Sequence, residues 1–184
     1  DFSVKSSYNL NTYNQTEETK MAPGYSREPN NGTYGIAKTD GLETNVDILA
    51  TYTKKWDKMD LSISGGGNLM YQKHTGLSNS AFSKAGLIVP NLFTVDNIAP
   101  SSLNYSSYSA ERGINSIYGL ANFGFWDMLY LDLTARNDWS STLPVENRSY
   151  FYPSASLSFL LNEVVDIPNV DLLKLRGGYA VVGN

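Results

Sequence analysis

Apolar and polar residues alternate with a period of two along much of this chain. In NVDILATYT, Val46, Ile48, Ala50 and Tyr52 share one parity, and Asp47, Leu49, Thr51 and Thr53 share the other. MDLSISGGGNLMY sets Leu61, Ile63, Leu69 and Tyr71 against Asp60, Ser62, Ser64 and Asn68. INSIYGLANFGF, LYLDLTARND, PSASLSFLL and the closing LLKLRGGYAVVGN repeat the pattern, and FSVKSSYNL is a weaker seventh case. Successive strand residues point to opposite faces, so each stretch predicts a half-buried strand with one apolar and one polar side.

The connections have unequal lengths. KKWDK and WDM read as tight turns, whereas residues 13 to 41 and 74 to 104 read as long polar loops rich in Gly, Asn, Ser and Pro. SSTLPVENRSY and NEVVDIPNVD are intermediate. Long loops therefore collect at one end of an antiparallel meander and tight turns at the other, as in outer-membrane barrels. Trp56 and Trp126 fall at the tight turns, and Tyr71, Trp139, Tyr150, Phe151 and Tyr152 at the opposite strand ends. Two aromatic bands bracketing apolar strand faces are the pattern of a membrane girdle.

Composition narrows the choice further. Charged residues are 17% of the 184 and aromatics 12%, with 13 tyrosines, which favours strands over helices. The formal charge of −4 gives no basic footprint, so no nucleic-acid partner is expected. Cysteine is absent, which excludes disulfide frameworks and thiolate metal sites. No apolar run is long enough for a membrane-spanning helix, and DFSVKSSYNL does not read as a signal peptide. Seven strands cannot close a bacterial outer-membrane barrel, which uses an even number, and an open sheet would leave edges unpaired in lipid. The fold class expected is an all-β antiparallel meander of about seven strands, forming an arc of a larger transmembrane barrel.

The last third carries a resemblance. LYLDLTARNDWSS, ENRSYFYPSASLSFLLNE and LLKLRGGYAVVGN together resemble the barrel of SusC/RagA-type TonB-dependent transporters. These have an Arg-x-Asp-Gly-Ser-Ser-like strand top, a Phe-Pro-Ser strand ending in Glu, and then Leu-Lys-Leu-Arg with a closing Gly-Asn. Upstream, NVDILATYTKKWDKMDLSISGGGNLMYQK looks like the family's hairpin before a long loop. Trp139 stands where the family often has Gly, Phe159 where Trp is common, and Ala180 and Val182 where Gly and Thr are frequent.

The resemblance implies a barrel of roughly 22 strands, of which residues 1–184 are a part. The signal peptide, TonB box and plug domain are expected to lie outside it. It also implies import of glycans, or less often peptides, across the outer membrane. The partners implied are a SusD-like surface lipoprotein, the TonB–ExbB–ExbD complex acting through an N-terminal part, and outer-membrane lipid. No cofactor and no enzymatic chemistry are expected.

Candidate residues follow from parity. An Arg or Lys facing lipid costs roughly 2–4 kcal/mol at the midplane, so Asp132, Arg136, Lys174 and Arg176 are expected to face the lumen or contact the plug. Tyr25, Tyr34, Tyr105 and Tyr108 are candidate loop contacts for a substrate or a lid, since aromatic faces stack on sugars. The glycines of SGGGN (64–68) lack the Lys-Ser/Thr of a phosphate loop, and are expected to allow close packing against a plug or a bend in the wall. Asp127 with Asp132 has no partner constellation for acid–base catalysis, and the lone His74 offers no triad or metal cluster.

Three alternatives stay open at this point. One is a soluble carbohydrate-binding β-sandwich. Another is a β-rich glycosidase, which needs two carboxylates across one cleft. The last is a transporter-like barrel serving as a structural partner in an envelope complex.

Overall fold

The computed structural model describes residues 1–24, 31–81, 86–165, 170 and 172–182. Seven strands appear, β1 (Phe2–Met21), β2 (Thr33–Lys55), β3 (Met59–Ala81), β4 (Leu103–Phe125), β5 (Leu129–Ser140), β6 (Ser149–Leu160) and β7 (Lys174–Ala180). They form one sheet in sequence order, so each strand pairs with the next along the chain. The meander is as expected, and FSVKSSYNL is the start of β1. A soluble sandwich would need a second sheet packed on the apolar face; all seven described strands lie in one.

The strands are longer than the alternation suggests. β2 and β3 each run for 23 residues, and β4 also for 23. Residues 13–21, 33–41 and 74–81, expected as loop, are therefore strand, whereas 86–102 is irregular as expected. A sheet with water on both sides has no apolar parity, so pairing continues where the period-two signal fades.

The chain divides into two compact units. The first comprises residues 1–9, 44–71 and 112 onward, and the second residues 10–43 and 72–111. In the first unit the strand segments alternate in the main, with Asn115 and Asn137 as polar residues on the outward parity. The outward parity reads Ile117, Gly119, Ala121, Phe123 and Phe125 on β4 and Leu129, Leu131, Leu133 and Ala135 on β5. It continues with Phe151, Pro153, Ala155, Leu157 and Phe159 on β6. These side chains are not covered by a second layer: Ile48 is 54% exposed, Ile117 63% and Leu157 47%.

The turn from β4 to β5 is tight. The Met128 N–H donates to the Phe125 carbonyl at 3.1 Å, and both central residues, Trp126 and Asp127, have positive φ (51° and 55°). That combination is what a type I′ hairpin requires.

In the second unit a small core forms where the segment 86–102 packs on β2 and β3. Leu87, Ile98, Ala81 and Tyr34 are buried, with Ile36, Phe93 and Val95 packed against them. Buried Asn97 braces the segment. Its Nδ2 donates to the carbonyls of Val89 (2.8 Å) and Leu92 (2.6 Å), while its Oδ1 accepts from the Val89 N–H (2.9 Å). Ser102 Oγ accepts from the Gly86 N–H at 2.9 Å. This stretch has irregular backbone, and its polar groups are met internally.

Candidate functional site

In an antiparallel ladder, directly paired residues share a face. Asp132 pairs with Asn122 and Ser156, Arg136 with Tyr118 and Tyr152, Arg176 with Ser158, and Lys174 with Leu160. Ser158 in turn pairs with Tyr130, two residues from Asp132. The register therefore puts Asp132, Arg136, Lys174 and Arg176 on one face of β5–β7, opposite the apolar residues.

Hydrogen bonds link side chains on that face across five strands of the first unit, β2 to β6. Tyr118 Oη lies 2.9 Å from both carboxylate oxygens of Asp47. Asn68 Nδ2 donates to Asn45 Oδ1 (2.5 Å) and to the Val46 carbonyl (3.2 Å). Arg136 lies over the Tyr118 ring at 5.7 Å, donates from Nε to Asp138 (2.7 Å) and reaches Ser116 Oγ (2.9 Å). Asp132 accepts from Asn122 (2.7 Å) and Ser156 (3.2 Å), and Thr134 meets Ser154 at 2.6 Å.

The Tyr118 ring rests on Gly66. A Cβ there would sit 2.8 Å from the ring's Cζ and Oη and 2.5 Å from the Ile48 carbonyl oxygen. The space expected to receive a plug or to bend the wall is thus filled at Gly66 by Tyr118. Gly65, by contrast, faces open space.

Toward the tight turns, a cavity of about 750 Å³ has Lys55, Asp60, Ser62, Asn122, Tyr130 and Asp132 in its lining. Asp60 meets Lys55 at 3.3 Å through one oxygen, while its Oδ1 is buried without a hydrogen-bond partner. Both Asp132 partners are neutral, and Lys54 and Lys55 line the same cavity as Asp60 and Asp132.

The tyrosine candidates separate. Tyr25 lies outside the described residues, as do Gly183 and Asn184 of the closing motif. Tyr34, Tyr105 and Tyr108 stand in strands β2 and β4, not in loops. Tyr34 is buried and donates to Glu18 Oε1 at 3.1 Å, and burial raises its phenol. Glu18 is held below the ordinary carboxylate range by Lys20, 2.8 Å away, and then by Tyr34. Tyr108 lies on Gly76 and is 54% exposed, and Tyr105 is 76% exposed. The aromatic bands are also split by parity. Tyr130, Tyr150 and Tyr152 pair with polar-face residues, whereas Phe151 points outward at 59% exposure.

Asp47, Asn68 and Tyr118 were not singled out from sequence. Their polar parity was visible, but their meeting needs the register of three strands. Among the described residues no cluster of three His, Cys, Asp or Glu is placed to hold a metal.

A single sheet with an uncovered, largely apolar face and a hydrogen-bonded polar face is the arrangement of a transmembrane barrel wall. No protein-family model matches the chain. It is 29% identical over 139 residues to TonB-dependent receptor P3 of Formosa agariphila and 25% identical over 162 residues to TonB-dependent receptor P26 of the same organism. These alignments cover 73% and 76% of this chain, which spans only 14% and 16% of those curated relatives. In fold it matches a chain in the structure of the RagAB peptide transporter, with a TM-score of 0.87 and 21% identity, over 97% of this chain and 20% of that one. The closed-closed state of the RagAB peptide importer gives 0.86 at 22% identity, with the same coverage. The chain is related to TonB-dependent receptors, and its fold is that of an arc of such a barrel.

Proposed function

We propose that residues 1–184 are part of the wall of an outer-membrane TonB-dependent transporter that imports oligomeric nutrients, glycans or peptides. The observation that carries this reading is the two-faced sheet of the first unit. Its outward parity is largely apolar and exposed, and its inward parity is polar and cross-linked by side-chain hydrogen bonds between neighbouring strands. In water the first face would be a large aggregation-prone patch; in lipid it is solvated.

Asp132, Arg136, Lys174 and Arg176 then line the lumen. The cavity at Asp60 and Asp132, where the Asp60 Oδ1 has no hydrogen-bond partner, is where a plug contributed by the rest of the polypeptide would dock. The similarity to TonB-dependent receptors supports energy coupling by TonB–ExbB–ExbD through a part outside this chain, and the fold match to a peptide transporter supports peptides as one substrate class. A SusD-like lipoprotein on the long-loop side is the partner that this architecture accommodates. The relatives are named as receptors and transporters, and Asp132 is engaged by Asn122 and Ser156, which supports transport without covalent chemistry.

The test uses the full-length protein in its native envelope. Fractionation should place it in the outer membrane, and uptake of labelled oligosaccharides or oligopeptides should need both the protein and TonB. Uptake unchanged by removal of either would overturn the transport reading.

A further inference from the structure

Two tyrosines of the second unit lie over glycines and keep open rings. A Cβ on Gly41 would sit 2.5 Å from the Tyr13 Cζ, and one on Gly76 would sit 2.7 Å from the Tyr108 Cζ. Each ring thus covers the bare backbone of a neighbouring strand, Tyr13 reaching from β1 over β2 and Tyr108 from β4 over β3. Their exposures of 48% and 54% leave the sides turned away from the glycines open. Tyr118 over Gly66 differs, because the Arg136 guanidinium lies over its ring.

Register puts both rings on one face. Gly35 abuts Ser80 and Glu43 accepts from Gln72, which sets Gly41 opposite His74 and Thr39 opposite Gly76. Tyr13 Oη lies 3.0 Å from His74 Nδ1, with the ring centroids 6.0 Å apart. Beside Tyr108 is a hollow of about 150 Å³ with Thr39, Gly76, Ser78 and Ser106 in its lining. Lys38, the charged residue of that lining, has the opposite parity on β2 from Thr39. On β3, His74, Gly76 and Ser78 keep the parity of Gly66 and Asn68, which belong to the polar face. The hydroxyls of Thr39, Ser78, Ser106 and Tyr108 have no hydrogen-bond partner among the described residues.

We propose that Tyr108 with Thr39, Ser78 and Ser106 is a subsite for one pyranose ring of a neutral oligosaccharide, and that Tyr13, its hydroxyl held at His74, is the platform for the next. The inference rests on the transporter reading above and deepens it by naming the substrate class. A pyranose has C–H groups on its faces and hydroxyls around its rim. The open tyrosine face suits the first and the four unengaged hydroxyls suit the second. None of these groups carries a charge that would select an acid or an amine. A peptide would be held differently. Main-chain pairing with a peptide needs an unpaired strand edge, and β2 and β3 are each paired on both sides.

The experiment takes the full-length protein, purified in mild detergent, and measures binding by fluorescence anisotropy. The probes are labelled maltohexaose, cellohexaose, mannohexaose, xylohexaose and galactohexaose, with a labelled neutral hexapeptide of Ala, Gly and Ser beside them. Folding of each variant is followed separately by the heat-dependent shift in gel mobility that a closed barrel gives. At least one hexaose should bind more tightly than the hexapeptide. Y108A should bind it about tenfold more weakly, the size of effect that removing a stacked aromatic platform has. Y108F, which keeps the plane, should fall between Y108A and the parent. S106A should lose about threefold, the value of a neutral hydrogen bond, and S107A, on the other parity of the same strand, should bind as the parent does. The two serine variants decide the matter where Y108A does not fold. Failure of every hexaose to bind, preference for the hexapeptide, parental affinity in folded Y108A, or equal effects of S106A and S107A would each overturn the subsite. Those results leave the transport reading standing, which fails separately where uptake needs neither the protein nor TonB.

Discussion

Tyr118 lies across Gly66, so close that a single methyl on the glycine would meet the ring at 2.8 Å and the Ile48 carbonyl oxygen at 2.5 Å. The ring covers bare backbone of the next strand, and from there its hydroxyl reaches Asp47 at 2.9 Å. A glycine is required because both a side chain and a main-chain oxygen occupy the Cβ position. Gly66→Ala should destabilise the folded barrel by about 1–3 kcal/mol, the usual cost of overpacking. Tyr118→Ala in the same background should recover part of that loss, because the ring clash is relieved while the backbone clash stays. Urea midpoints of the four members of the cycle measure the coupling, expected at about 0.5 kcal/mol or more. Additive effects would show that the ring does not need the glycine.

Leu133 and Thr134 are adjacent and face opposite ways. Leu133 is 37% exposed on the apolar side, while Thr134 meets Ser154 across the polar side. Leu133→Arg should cost about 2–4 kcal/mol, since a guanidinium would enter the hydrocarbon layer near mid-strand. Thr134→Arg should cost about 1 kcal/mol or less, the value of the hydroxyl pair it replaces. Folding yield into lipid vesicles under increasing urea compares the two. Equal costs would mean that both faces see water.

Asn97 holds the segment 86–102 through three hydrogen bonds to Val89 and Leu92. Asn97→Asp keeps the shape but turns two donated bonds into carboxylate–carbonyl contacts. Leaving buried partners unmet costs about 1–3 kcal/mol, enough for roughly tenfold faster limited proteolysis within the segment. The strands should keep their resistance, because the loss is local. Unchanged cleavage would show that Leu87 and Ile98 hold the segment without Asn97.

Parity made the two faces legible in the sequence, and with them the shared side of Asp132, Arg136, Lys174 and Arg176. Two-sided exposure hid the far parts of β1–β4. There both parities are polar, so Tyr34, Tyr105 and Tyr108 read as loop residues although their backbones are paired. The small core was hidden for a different reason. Leu87, Phe93, Val95 and Ile98 follow neither a helical nor a strand period, and only the folded path of an irregular segment gathers them. The Asp47–Tyr118–Arg136 series was readable in parity but not in register, because each member sits on a different strand.

The hairpin turn at Trp126 and Asp127 places two L-residues in the left-handed region, at φ 51° and 55°. A type I′ turn favours Asn or Gly at these positions, since a Cβ there crowds the following carbonyl at a cost of roughly 1–2 kcal/mol per residue. Trp126 carries an exposed ring at the end of the apolar face, which gives its side chain a use. The Asp127 side chain makes no hydrogen bond among the described residues; its backbone carbonyl does, accepting from Tyr130 Oη at 2.9 Å. Asp127→Gly keeps that bond and removes the crowding, so it should raise stability by about 1 kcal/mol. Trp126→Gly removes crowding and anchor together, and should gain less or lose. Urea midpoints in lipid vesicles distinguish the pair, and a destabilised Asp127→Gly variant would show that the carboxylate serves the turn.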